Sequence, residues 1–200
     1  MADRNDSLSM EQISAILTDE TADSPDEVFR RCSALEQLAA SGPNAIVTLP
    51  AIMRSLVVAV TVDCFLWLRV AAAEAVWKVG WRHDLALPIL AWALKDEYCG
   101  VSRKATQVLY EMGSVAHDAV PDLINLAERH LDHGPFHFET FGESDDPLLP
   151  VVASALGSCG RGMQHIAAAN RILIRILDCD DEVTCAAAQQ AIKQLRYKST

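Results

Sequence analysis

No run of apolar residues in this sequence is long enough to cross a membrane. The longest runs, such as SLVVAVTV, are broken well before the roughly 18 residues that a spanning helix needs. The N-terminal stretch MADRNDSLSM is polar and gives no secretory signal. Six cysteines are scattered without a CxxC pair, which argues against a disulfide framework or a zinc site and favours a reducing compartment. We therefore expect a cytoplasmic protein.

Positive charge is also scarce. Lys and Arg number 17 against 27 Asp and Glu, a formal net charge of −10. Because neutralising phosphates supplies most of the affinity for nucleic acid, this balance argues against DNA, RNA and anionic membranes as partners. The sequence contains no GxSxG, no Gly-rich phosphate loop and no cysteine set against an evident base. It therefore identifies no reaction, points away from an enzyme and calls for no cofactor.

Hydrophobic residues make up half of the chain although aromatics are only 6%, and the abundant Ala and Leu favour helices. Within this background a thirteen-residue pattern recurs, aliphatic at position 1, Ala at 5, small apolar at 8 and 9, and Gly at 13. Its copies are LRVAAAEAVWKVG (68–80), VSRKATQVLYEMG (101–113), RRCSALEQLAASG (30–42), LLPVVASALGSCG (148–160) and the weaker VTCAAAQQAIKQL (183–195). Positions 1, 5, 8, 9 and 12 are predicted to form the buried face of a helix.

In a second regularity, a proline follows a glycine by eight residues three times. The pairs are Gly42 and Pro50, Gly80 and Pro88, and Gly113 and Pro121. Gly is typical just after a helix and Pro in the first turn of the next, so each unit is predicted to be two antiparallel helices. One such pair cannot bury its apolar face alone, and the pairs must stack. We predict an all-α, right-handed α-solenoid of four to five pairs over residues 26–200, preceded by an N-terminal capping helix and linker in residues 1–25.

The pattern D-x4-[VL]-[RS]-x2-A-[AT]-x-[AV]-[VL]-x2-[VM]-G-x7-P, with its 33-residue spacing, resembles the HEAT repeat, including the HEAT-like repeats of phycocyanobilin lyase subunits. The resemblance covers about residues 26 to 197. It implies an armadillo-like fold that most often serves as a binding scaffold. It also implies an alternative, an accessory or subunit of a chromophore-handling enzyme of the bilin-lyase type.

Large aromatic residues occupy position 10 of two neighbouring copies, at Trp77 and Tyr110. Position 10 lies off the predicted buried face, and equivalent positions form a ladder in a stacked solenoid. Because Trp and Tyr are favoured interface anchors, we predict a recognition stripe that these rings share with neighbouring polar residues. Those neighbours are Glu74, Lys78, Gln107 and Glu111. The alternative is that both rings cover the seam between repeats.

Two further sites contain tryptophan. Trp92, within LPILAWALKD, is predicted to lie in the core. Trp81, Arg82 and His83 form the turn after the copy at 68–80, where exposed residues often contact partners.

The spacing between the copies at 101–113 and 148–160 is enlarged by an insert at about residues 129–147, with the sequence RHLDHGPFHFETFGESDDP. His130, His133 and His137 are weak candidates for metal ligands, although their spacing matches no familiar ligand set. The sequence favours a polar surface loop over a metal site. Phe136 and Phe138 either pack back onto the solenoid or offer apolar anchors to a partner.

These features together predict a non-catalytic scaffold or adaptor for a protein or peptide. The partner is held by the concave face or by the 129–147 insert. The acidic surface favours a basic partner. Nothing in the sequence fixes the oligomeric state.

Overall fold

A computed structural model describes residues 8–19, 24–61, 66–96, 99–133, 148–160 and 165–196. Within these ranges the chain is all-helical. The helices are α1 (Met10–Thr18), α2 (Pro25–Ser41), α3 (Leu49–Thr61), α4 (Leu66–Gly80), α5 (His83–Ala93), α6 (Cys99–Met112), α7 (Val120–His133), α8 (Leu148–Cys159), α9 (Ile166–Ile176) and α10 (Glu182–Arg196). Two 3₁₀ segments, Gly42–Thr48 and Gly113–Ala119, lead into α3 and α7.

Local capping explains where several helices begin. Ser9 and Gln12 form a reciprocal capping box at α1, with bonds of 2.8 and 3.2 Å. The Ser24 hydroxyl accepts the Glu27 N–H at α2, whose first residue is Pro25. The side chain of Asp181 accepts the Thr184 N–H at 2.8 Å and caps α10. These side chains satisfy amide donors that the first turn of a helix leaves unpaired.

The chain divides into two compact units, Met1–Ile89 and Leu90–Thr200, and the division falls within α5. In the first unit α4 packs against α2 and α3, and α1 packs against α2 and α3. In the second unit α8 packs between α6 and α10, and α7 packs against α8 and α9. The Gly-terminated helices therefore follow one another as neighbours within each unit.

The positions predicted to be buried are buried in three helices, although α4 is buried on almost every side. In each of them positions 1, 5, 8, 9 and 12 of the pattern are buried. These residues are Leu68, Ala72, Ala75, Val76 and Val79 in α4; Val101, Ala105, Val108, Leu109 and Met112 in α6; and Leu148, Val152, Ala155, Leu156 and Cys159 in α8. The fully buried alanines at position 5 of α4 and α6 allow the close packing that the pattern predicts.

In the last copy the predicted register is wrong by one residue. Val183, predicted at position 1, is 63% exposed, whereas Thr184, Ala188, Ala191 and Leu195 are buried. The alanine run 186–188 fits position 5 in either register. The observed register also places Ala191, Ile192 and Leu195 at positions 8, 9 and 12, where the predicted register has two glutamines, so the apolar letters favour the observed one.

The prediction that each proline opens a helix is confirmed at Pro50 and Pro121, which are the second residues of α3 and α7. It is wrong at Pro88, because α5 begins five residues earlier, at His83, and Pro88 lies inside it. Pro88 is exposed, as is Asp84 one turn before it. The Asp84 carbonyl that proline leaves without an amide donor is therefore close to solvent.

The placement of Trp92 in the core is also wrong, since this side chain is 46% exposed. α5 is apolar along most of its length, so periodicity gives no single buried face from which to place the ring. Among the residues that the structure describes, no helix has both the length and the apolar character needed to cross a bilayer.

Candidate functional site

The turn that ends α4 is unlike the turns that end α2 and α6. Gly42 and Gly113 carry positive φ values of 56° and 61°, as expected for glycine at the end of a helix. After α4, however, the left-handed residue is Trp81, with a φ of 53°. A bulky residue in this region is strained and merits a functional explanation.

Packing explains why glycine occupies the last position of α4. A Cβ atom on Gly80 would lie 2.9 and 3.0 Å from the two Cδ atoms of Leu49. Gly80 therefore serves as the last helical residue, where its missing side chain makes room for Leu49. α4 thus includes its glycine, whereas α2 and α6 end just before theirs. The Trp81 N–H donates to the Trp77 carbonyl at 2.8 Å.

This turn brings two tryptophan rings together. Trp77 and Trp81 meet edge to face, with centroids 6.4 Å apart and an interplanar angle of 80°. That arrangement is a favoured geometry for aromatic pairs. Trp77 is half-buried, while Trp81 is 67% exposed. The pair thus holds one large aromatic surface at the surface of the first unit.

An ion pair lies beside the half-buried ring of Trp77. The Lys78 Nζ lies 5.9 Å from the Trp77 ring centroid and 2.8 Å from Oε1 of the buried Glu74. The ammonium thus combines an ion pair with a cation–π contact. These contacts fix Trp77, against which Trp81 rests.

The next residues add an exposed ion pair. Arg82 donates through Nε and Nη2 to the two carboxylate oxygens of Asp84, at 2.9 and 2.8 Å. Hydrogen bonding to Arg82 holds the pKa of the Asp84 carboxyl below its usual value. Exposed pairs contribute little stability, but this one orders both side chains beside Trp81. We call Trp77, Lys78, Trp81, Arg82 and Asp84 the tryptophan turn.

The predicted recognition stripe is divided between the two units. Glu74, Trp77 and Lys78 come together in the first unit, as described above. Tyr110, Gln107 and Glu111 lie on the exposed side of α6 in the second unit, with Tyr110 44% exposed. A ladder joining Trp77 to Tyr110 stays a prediction.

The histidines of the insert stay weak candidates for metal ligands. His130 lies on α7, where burial lowers the pKa of its imidazole. The side chain of His133 and all of Phe136, His137 and Phe138 lie outside the described residues. Within the part of the chain that is described, no three His, Cys, Asp or Glu side chains form a group that could hold a metal ion.

The sequence places Trp81 in a turn but does not show its left-handed backbone, because a bulky residue carries no local pattern for a positive φ. Trp67, in the first turn of α4, is 52% exposed, and the sequence does not indicate this exposure.

No family model and no curated protein matches the chain. Among solved structures, it is similar to a crystal structure of an engineered protein, with a TM-score of 0.65 and 21% identity. The match covers 94% of this chain and 81% of that chain. At this level of identity the likeness concerns the fold alone.

Proposed function

We propose that this chain is a HEAT-like, right-handed α-solenoid that acts as a non-catalytic scaffold or adaptor for a protein or peptide. The succession of neighbouring helices supports the solenoid, with α2 against α4 in one unit and α6, α8 and α10 in the other. In stacked repeats, each unit contacts its neighbours through equivalent helices. The buried alanines at equivalent positions of α4 and α6 support the same arrangement.

The observation that carries the binding function is the exposed, strained Trp81. Folding gains little from a ring that is 67% exposed, and the left-handed backbone of a non-glycine residue has a cost. A tryptophan held outward on a rigid turn suits a binding anchor, because it buries a large area at a small loss of side-chain entropy.

The partner is a protein or peptide segment that presents an apolar or cationic side chain to the Trp81 ring. The net charge of −10 favours a basic partner and accelerates its encounter at low salt. A stable contact would bury on the order of 1,200–2,000 Å².

The test uses affinity capture from a lysate of the source organism, read by quantitative mass spectrometry. Trp81→Gly removes the ring and suits the positive φ, so the turn keeps its backbone. Trp67→Ala is the matched control, because it removes an exposed tryptophan from the other end of the same helix. A purified candidate partner is then titrated by calorimetry against all three proteins.

We expect a partner that binds the wild type and Trp67→Ala alike and binds Trp81→Gly at least tenfold more weakly, about 1.4 kcal/mol. Equal binding by all three proteins would place the contact elsewhere. A visible absorbance band in the purified wild type, with no enriched protein, would instead favour the chromophore-handling alternative.

A further inference from the structure

The turn between α9 and α10 brings two cysteines together. Cys185, in the first turn of α10, has its Sγ 3.2 Å from the carbonyl oxygen of Cys179 and 3.5 Å from that of Leu177. The sulfur of Cys185 therefore lies against the backbone that carries the Cys179 side chain. Both side chains are half-buried, and both are free thiols.

The backbone at both cysteines is held in place. The Cys179 N–H donates to the Ile176 carbonyl at 3.2 Å, and the Cys185 N–H donates to the Asp181 carbonyl at 3.0 Å. Asp181 also caps α10 through the amide and hydroxyl of Thr184. Five residues separate the cysteines, and the turn that contains them is closed by its own hydrogen bonds.

Three carboxylates lie near Cys179. Burial raises the pKa of the Cys179 thiol, and so do Cys185 and the carboxylates of Asp178, Asp180 and Asp181. Hydrogen bonding to Thr184 holds the pKa of Asp181 below its usual value, so that this carboxylate stays ionised at neutral pH. An anionic reagent is repelled from such a site, and a cationic one is attracted.

We propose that Cys179 and Cys185 form a dithiol site that is oxidised to an intramolecular disulfide by small cationic or neutral disulfides in preference to anionic ones. One cysteine, as its thiolate, attacks a sulfur of the small disulfide, which forms a mixed disulfide and releases one small thiol. The other cysteine then attacks the protein sulfur of the mixed disulfide and releases the second small thiol. The two protein thiols lose two electrons and two protons, and the small disulfide gains them.

The experiment compares three disulfides of similar chemistry and different charge: cystamine, which is cationic, 2-hydroxyethyl disulfide, which is neutral, and oxidised glutathione, which is anionic. The folded protein is incubated with each, quenched with an alkylating agent and digested with trypsin. Residues 176–193 form one tryptic peptide that contains both cysteines. The internal disulfide appears as this peptide lacking two hydrogen atoms and carrying no alkyl group.

We expect closure fastest with cystamine and slowest with oxidised glutathione, with a ratio of roughly tenfold at low salt that shrinks in about 1 M salt. The rates should rise with pH, because the thiolate is the attacking species. Cys159, which is fully buried and bonded to the Leu109 carbonyl, is an internal control and stays unmodified while the protein is folded.

Variants test the two cysteines and the neighbouring negative charge separately. Cys179→Ser and Cys185→Ser should each retain the small thiol as a stable mixed disulfide, because no second cysteine displaces it. Asp180→Asn leaves the cap of α10 intact and should narrow the ratio between cystamine and oxidised glutathione. Mixed disulfides that persist on the wild type would overturn the pairing, and equal rates with all three reagents would overturn the charge selectivity.

Discussion

At the scale of single residues, Trp81 departs from a rule of helix termination. Glycine normally takes the left-handed conformation because an L-residue there brings its Cβ near the following carbonyl. At the end of α4, Gly80 is the last helical residue and has Leu49 packed where a side chain would be. The left-handed conformation and its strain fall on the next residue, Trp81.

Two substitutions at this position measure the strain. Trp81→Gly and Trp81→Ala both remove the ring and its contact with Trp77, so those losses cancel between them. Glycine relieves the left-handed strain but is more flexible in the unfolded chain, and we expect Trp81→Gly to be more stable than Trp81→Ala by about 1 kcal/mol. Urea unfolding measures the difference, and an alanine variant of equal or higher stability would contradict it.

The half-buried thiol of Cys32 gives a prediction for the pH dependence of stability. Burial, with a smaller effect of the Glu36 carboxylate, raises the pKa of this thiol from 9.0 to about 11. Below pH 9 the thiol is protonated in the folded and unfolded states alike. Between pH 9 and 11 the unfolded state loses its proton while the folded state keeps it, so the free energy of unfolding falls as pH rises.

We therefore expect the wild type to lose stability relative to Cys32→Ala between pH 9 and 11 and to keep a constant difference below pH 9. Urea midpoints at several pH values for both proteins measure this difference, and other titrating groups cancel in the comparison. A difference that stays constant up to pH 11 would show that Cys32 is not protected in the fold.

At the scale of helices, α8 and α10 pack closely at Gly157. A Cβ atom there would lie 2.7 Å from the Ala191 Cα and 2.8 Å from its Cβ. Because the first of these is a backbone atom, a rotamer change cannot relieve the clash. Gly157→Ala should destabilise the protein by about 1–3 kcal/mol although alanine favours helix.

The control for this prediction is Gln189→Ala, on the exposed side of α10, which should change stability by less than about 0.5 kcal/mol. Urea unfolding of both variants tests the helix contact. A Gly157→Ala variant as stable as the wild type would mean that α10 is free to move away from α8.

Most helices could be predicted from the sequence because the buried face repeats with the letters. In α4, α6 and α8 the residues at positions 1, 5, 8, 9 and 12 are buried as the pattern predicts. The predicted register of α10 is one residue early, because the alanine run hides the shift that the later apolar letters indicate. At the end of α4 the left-handed residue is Trp81, although the pattern places a glycine just before it.

At the scale of the whole molecule, the candidate site was predicted only in part. The repeat pattern indicates Trp77, because a large aromatic residue at position 10 lies off the predicted buried face. The exposed ring that completes the tryptophan turn belongs to Trp81, whose orientation depends on a φ value that no local pattern fixes. The sequence alone does not point to Cys179 and Cys185 as a pair, because five residues separate them and their spacing matches no CxxC motif.

The two compact units lead to a prediction about cooperativity. In a solenoid each repeat contacts only its neighbours, so a local loss of stability spreads over a short distance. Gly157→Ala acts in the second unit, and Ala72→Leu overpacks a fully buried position of α4 in the first. We expect faster amide hydrogen exchange in α8 and α10 for the first variant and in α2 and α4 for the second. Mass spectrometry of peptic fragments resolves these helices. Equal acceleration in all four helices by both variants would show that the chain unfolds as one cooperative unit and would contradict the proposed solenoid.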